Sequence, residues 1–261
     1  MNNRTMTLFA ACAVMLTSCT ESGDSNTGGS ESLELGQGGS MSRFAVVGNS
    51  LYTLNSPYIK KYDVGKPTEI RPVNEGMLQL DDGETIFVRD SLLYVGSQSG
   101  MYIMNLQNLT NLSFVSHVVV SCDPVVSLDT FAYVTLSTGN SCSRGISALQ
   151  IYNVKNPLDP KLVKGYSMDN PRGLAIRDSL LFICDDGLKI YYAKHPADSL
   201  PRLVHERNID GYDVILRDTT LLLIGDDGFF QYSYSPYFEN NRLYVSFELL
   251  SSIETVKQKK R

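Results

Sequence analysis

The chain of 261 residues contains no tryptophan, only three histidines and five cysteines, and it has fewer basic than acidic residues, 23 against 28, for a formal net charge of -5. Each scarcity removes a class of function. An acidic chain has no basic footprint for a phosphate backbone, so no nucleic-acid partner is expected. His117, His195 and His205 are far apart, with no Cys or His at ligand spacing, so neither a metal site nor a cofactor is expected. No glycine-rich phosphate loop opens a helix, because helical periodicity is weak throughout. No serine sits at the centre of a Gly-x-Ser-x-Gly elbow; Gly96-Ser97-Gln98-Ser99-Gly100 puts Gln98 there, and no catalytic residue is assigned. The apolar run Leu8 to Leu16 is about half of the roughly 20 residues that a helix needs to cross a bilayer.

That run has another reading. A polar start carrying Arg4, the short apolar stretch, and then Leu16-Thr17-Ser18-Cys19 have the order of a secretory signal with its cleavage site. The last four residues resemble the bacterial lipobox. The resemblance implies removal of residues 1–18, a diacylglycerol on the Cys19 thiol and a membrane partner reached through that lipid. The expected address is the bacterial cell envelope, at the outer membrane, with the periplasmic or surface face left open. Residues 19–41, rich in Gly and Ser, read as a flexible tether. Glu21 and Asp24 within it are either a surface-export signal or part of a solvated linker. Residues 253–261 read as a basic C-terminal tail.

Cys12 leaves with the signal and Cys19 takes lipid, which leaves Cys122, Cys142 and Cys184. One pair and one free thiol is the simplest account in an oxidising compartment. A Cys122 to Cys142 bridge would clamp a Ser/Gly/Asn-rich insertion at 137–145 and contribute about 3 kcal/mol. Cys184, inside Leu180-Leu181-Phe182-Ile183-Cys184, reads as a small buried hydrophobe.

Between residues 42 and 252 one phrase recurs: an apolar strand, a polar turn and a second apolar strand. Aligning Asn49, Asp90, Asp129, Asp178 and Asp218 gives a period of about 40 residues, suited to a four-stranded blade. The expected fold is all-β, a β-propeller of five blades of four antiparallel strands by count of units, with six left open. The units resemble LVIVD repeats of bacterial propeller lipoproteins, most specifically in Cys122-Asp123-Pro124-Val125-Val126, Ala132-Tyr133-Val134-Thr135-Leu136, Leu149-Gln150-Ile151-Tyr152-Asn153-Val154 and Asn170-Pro171-Arg172-Gly173-Leu174. The resemblance supports the Cys122 to Cys142 bridge and implies no chemistry.

Six residues before each anchor stand Arg43, Glu84, Asp123, Arg172 and Tyr212. They are expected around the central opening, either as salt bridges between blades or as a polar funnel that orients a ligand. The pairs Asp81-Asp82-Gly83, Asp185-Asp186-Gly187 and Asp226-Asp227-Gly228 read as tight turns rather than calcium loops. Ser91, Ser179, Ser199 and Thr219, each following an Asp or an Asp-flanked turn, are similar to acceptor sites of a bacterial O-glycosylation system and are also ordinary turn residues. The aromatic stretch 229–238 places Phe230, Tyr232 and Tyr234 on one strand face, expected to pack between blades. The function expected is a non-catalytic binding module of the envelope, its partner an unknown envelope protein or glycan. An enzyme with a site assembled from several blades, or a structural subunit of a surface complex, stays open; oligomeric state is not legible.

Overall fold

A computed structural model describes residues 39–255, except 56, 81, 110, 116–123, 139–145, 197–201 and 208, with backbone only at 74–78, 111–115, 202 and 204–207. Cys19, Cys122, Asp123, Cys142 and Ser199 lie outside the described residues, as do His117 and the tail beyond Thr255.

Among the described residues, twenty strands form five four-stranded antiparallel sheets, each built from consecutive strands. Blade one is β1 (Phe44–Val47), β2 (Ser50–Asn55), β3 (Tyr58–Lys66) and β4 (Glu69–Gln79). Blade two is β5 (Gly83–Arg89), β6 (Leu92–Ser97), β7 (Met101–Asn105) and β8 (Asn111–Val115). Blade three is β9 (Val125–Leu128), β10 (Phe131–Leu136), β11 (Ala148–Asn153) and β12 (Lys161–Ser167). Blade four is β13 (Pro171–Arg177), β14 (Leu180–Asp185), β15 (Leu188–Tyr192) and β16 (Arg202–Arg207). Blade five is β17 (Asp213–Arg217), β18 (Thr220–Gly225), β19 (Gly228–Glu239) and β20 (Arg242–Glu254).

The first hairpin of every blade has a left-handed residue at the same place: Gly48, Asp90, Asp129, Asp178 and Asp218, with φ between 48° and 53°, followed in blade four by a second, Ser179, at 69°. Asp tolerates that region better than most side chains, and Gly adopts it freely. The turn corrects the sequence alignment by one residue in the first unit. Gly48, not Asn49, is equivalent to Asp90, because Val47 pairs with Ser50 as Arg89 pairs with Leu92. The Asx residue there lies one place later because glycine already supplies the required backbone.

Strand alternation gives each blade two apolar faces. The forward face packs on the rear face of the next blade. Tyr52 of blade one enters a cluster with Ile86, Val88, Leu93 and Val95 of blade two. Tyr94 meets Val125, Ala132 and Val134 of blade three. Tyr133 meets Leu174, Leu181 and Ile183 of blade four. Phe182 meets Val214, Leu221 and Leu223 of blade five. An aromatic at the same point of β2, β6, β10 and β14 thus seals four successive joints. Arginines add a polar stitch: Arg89 donates to the Ser127 carbonyl (2.9 Å) and Arg177 to the Asp218 carbonyl (2.7 Å), each in the following blade.

The expected limits of the folded region shift at both ends. Gly39, Ser40 and Met41, read as the end of the tether, belong to the fold, since Ser40 is buried and hydrogen-bonded. β20 continues to Glu254, two residues into the expected tail, because it pairs with β19 along its whole length.

Candidate functional site

The inner strands β1, β5, β13 and β17 begin at one end of the array, and polar side chains gather at that mouth. Arg43 and Glu84 of neighbouring blades form an ion pair, and Gln98 donates to the other Glu84 oxygen at 3.2 Å. Arg172 stacks over the Tyr212 ring, 4.9 Å from its centroid, and lies 3.5 Å from Asp210. Four of the five expected mouth residues therefore meet in pairs between adjacent blades; the fifth, Asp123, is not described. The corrected alignment makes Ser42 the true equivalent of Glu84, and its carbonyl accepts from the Ile86 amide across the joint. Arg43, one residue on, still reaches Glu84.

Beside Arg172 lies a network that the sequence did not reveal. Asp185, at the end of β14, is buried and accepts from the Asp169 and Asn170 amides at 3.0 and 2.6 Å. Lys189 donates to Asp185 at 2.9 Å and to Asp169 at 2.8 Å. Burial alone would lower the Lys189 pKa, but hydrogen bonds to the two carboxylates outweigh it and raise the value. Asp186 and Gly187 make the turn with positive φ, as expected for this motif, while the first aspartate ties down the loop that delivers Arg172. The signal was present in the i, i+4 spacing of Asp185 and Lys189, which is close only because the β14–β15 turn folds back.

Deeper in the same end, Ser40 donates to Asp213 at 3.0 Å and accepts from the Leu174 amide at 2.7 Å. Met41 and Val214 amides also donate to the Asp213 carboxylate. A Cβ on Gly39 or Gly173 would collide with that carboxylate, so glycine is required at both positions. Desolvation pushes the Asp213 pKa up to about 6 against the pull of its hydrogen bonds. Cys184 is buried nearby, its thiol pushed up by desolvation, in keeping with a packing role. Phe230, Tyr232 and Tyr234 pack in the joint between blades four and five.

Ser91, Ser179 and Thr219 all fall in first-hairpin turns, with Ser91 and Thr219 exposed. Among the described residues no group of three or more His, Cys, Asp or Glu side chains could hold a metal ion.

No family model and no curated protein matches the chain. Solved structures do. BamB from Moraxella catarrhalis matches with a TM-score of 0.50 and 12% identity over 70% of this chain and 53% of its own. The complex of KlAtg21 with the coiled-coil of AgAtg16 matches with a TM-score of 0.52 and 8% identity, over 79% of this chain and 82% of that one. The fold is a β-propeller. At such identities the likeness speaks for the propeller alone.

Proposed function

We propose that this propeller is a lipid-anchored, non-catalytic binding module of the bacterial cell envelope, of the LVIVD-repeat kind, whose ligand is an envelope protein or glycan met at the mouth. The observation that carries the reading is the mouth itself. Arg43, Glu84, Arg172 and Tyr212 are held by partners on neighbouring blades and Gln98 by Glu84 of its own blade, so a rigid scaffold presents oriented polar groups with little ordering cost on binding. The anchor rests on Leu16-Thr17-Ser18-Cys19, which resembles a lipobox. One propeller of similar fold, KlAtg21, is seen in complex with the coiled-coil of AgAtg16, which agrees with a protein partner. Cys122 and Cys142 are proposed to form a disulfide that clamps the insertion at 137–145, and Ser91, Ser179, Ser199 and Thr219 to be sites of glycan attachment.

Mass spectrometry of the native protein, intact and after non-reducing digestion, tests the address. A diacylated or triacylated Cys19 and a linked Cys122–Cys142 peptide are expected; an unprocessed Met1 with free thiols overturns the envelope assignment. Co-purification after cross-linking tests the mouth. The captured partner should be lost on E84Q/R172A while the fold, followed by circular dichroism, survives. A partner retained at full yield by that variant removes the mouth from the binding site.

A further inference from the structure

Four joints between blades are sealed, but the fifth is not. At the rear-face position just after the start of the inner strand, Ile86, Val125, Leu174 and Val214 are 1%, 0%, 0% and 0% exposed. Their equivalent in blade one, Phe44, is 57% exposed, and Val46 beside it 45%. On the opposite wall, blade five turns Ile215 and Leu222 only half-buried toward the seam, with Ile224 exposed. Among the described residues β1 packs on β5 but makes no comparable packing with β17. The apolar clusters likewise join blades one to two, two to three, three to four and four to five, and none joins five to one.

The polar stitch repeats the pattern. Arg217 holds the position from which Arg89 and Arg177 reach over the next blade, yet it is exposed, and among the described residues it makes no inter-blade bond of that kind. Among the described residues each blade is also built from consecutive strands, and no strand from one end of the chain pairs into a blade at the other. Among the described residues, the hydrogen bonds across the seam come from residues 40 and 41: Ser40 and Met41 donate to Asp213, and Ser40 accepts from the Leu174 amide.

We infer that the seam is an interaction surface for a second copy of this chain, with the forward wall of blade five in one copy seated on the rear wall of blade one in the other. The two walls fit by construction, because a forward face on a rear face is how every other joint in the molecule is made. Charge agrees: residues 42–80 carry five basic and three acidic side chains, and residues 209–255 two basic and eight acidic. Seated this way, Arg217 gains the carbonyls of the partner's first turn, and Phe44 and Val46 gain the burial that their equivalents already have. The contact is heterologous, joining two different surfaces, so copies add head to tail unless two of them close on each other.

Analytical ultracentrifugation of the full-length protein in mild detergent tests the inference. The wild type is expected to associate as concentration rises. F44D, which spoils the rear wall, and R217E, which spoils the stitch of the forward wall, should each need at least about tenfold more protein to do so. Both positions are exposed, and unchanged circular dichroism and melting are expected of both. An equimolar mixture of the two variants decides the geometry. Each retains one intact wall, so the mixture should recover a dimer that neither forms alone. A wild type that stays monomeric at all concentrations overturns the inference, whether hydrogen exchange then finds the seam closed within one chain or covered by residues preceding Gly39. Association unaffected by either variant overturns it equally.

Discussion

Asp213 is a carboxylate shielded from water that serves as the acceptor for Ser40, Met41 and Val214, and its position sets a pH dependence. Its pKa, raised from the ordinary carboxylate range to about 6, means that the folded state holds the proton more tightly than the unfolded chain. For an acid displaced upward, stability is greatest below about pH 4 and is lost as pH rises through about 6, by on the order of 2–3 kcal/mol. Melting temperatures recorded from pH 4 to 7 should show this decline in the wild type, and D213N should flatten it. A decline that persists in D213N would place its origin elsewhere. At the partner residue, S40A strands the Leu174 amide and removes a donor to Asp213, with an expected cost of about 1–3 kcal/mol in chemical denaturation. None of this was legible in the sequence, where Gly39-Ser40-Met41 looked like the end of a linker. Their burial depends on a carboxylate more than 170 positions away.

At the scale of the blade, sequence and structure agree closely, because a hairpin is a local object. Alternating apolar residues and a turn aspartate are enough to fix β5–β6, β9–β10, β13–β14 and β17–β18. Blade one slipped by a residue because Gly48 and Asn49 both suit a turn, and only strand pairing decides between them. The left-handed turn residue yields a direct test: D129A should cost about 1 kcal/mol, whereas D129G should be close to neutral, both measured by denaturant titration. The aromatic seals give a second. Y133A is expected to cost about 3–5 kcal/mol, because Tyr133 is closed in by blade four. L222A, at the same place in blade five, should cost a fraction of that in the dilute monomer, since no blade of the same chain covers it. Equal losses at the two positions in the dilute monomer would mean that the blade-five wall is packed within its own chain.

For the whole molecule, the repeat predicted the number of blades but not how they close. A joint between neighbours is written into every unit, whereas closure depends on small angular differences summed over five joints, and no single residue records that sum. The mouth is intermediate. Equal spacing brought Arg43, Glu84, Arg172 and Tyr212 to one end, while Gln98, Asp210 and the Asp169–Asp185–Lys189 network arrive on loops whose course is set by blade packing.

The placement of Ser40 has a mechanical consequence. A pull on the chain upstream of Gly39 does not reach β1 first. It loads the bonds from Ser40 to Leu174 and Asp213, which belong to blades four and five, and so spreads over the two blades farthest from β1 in the chain. A protein tugged by a tether would ordinarily peel from its first hairpin. Here that hairpin is sheltered until Ser40 lets go, and in single-molecule stretching S40A should lower the force of the first rupture while leaving later ones unchanged.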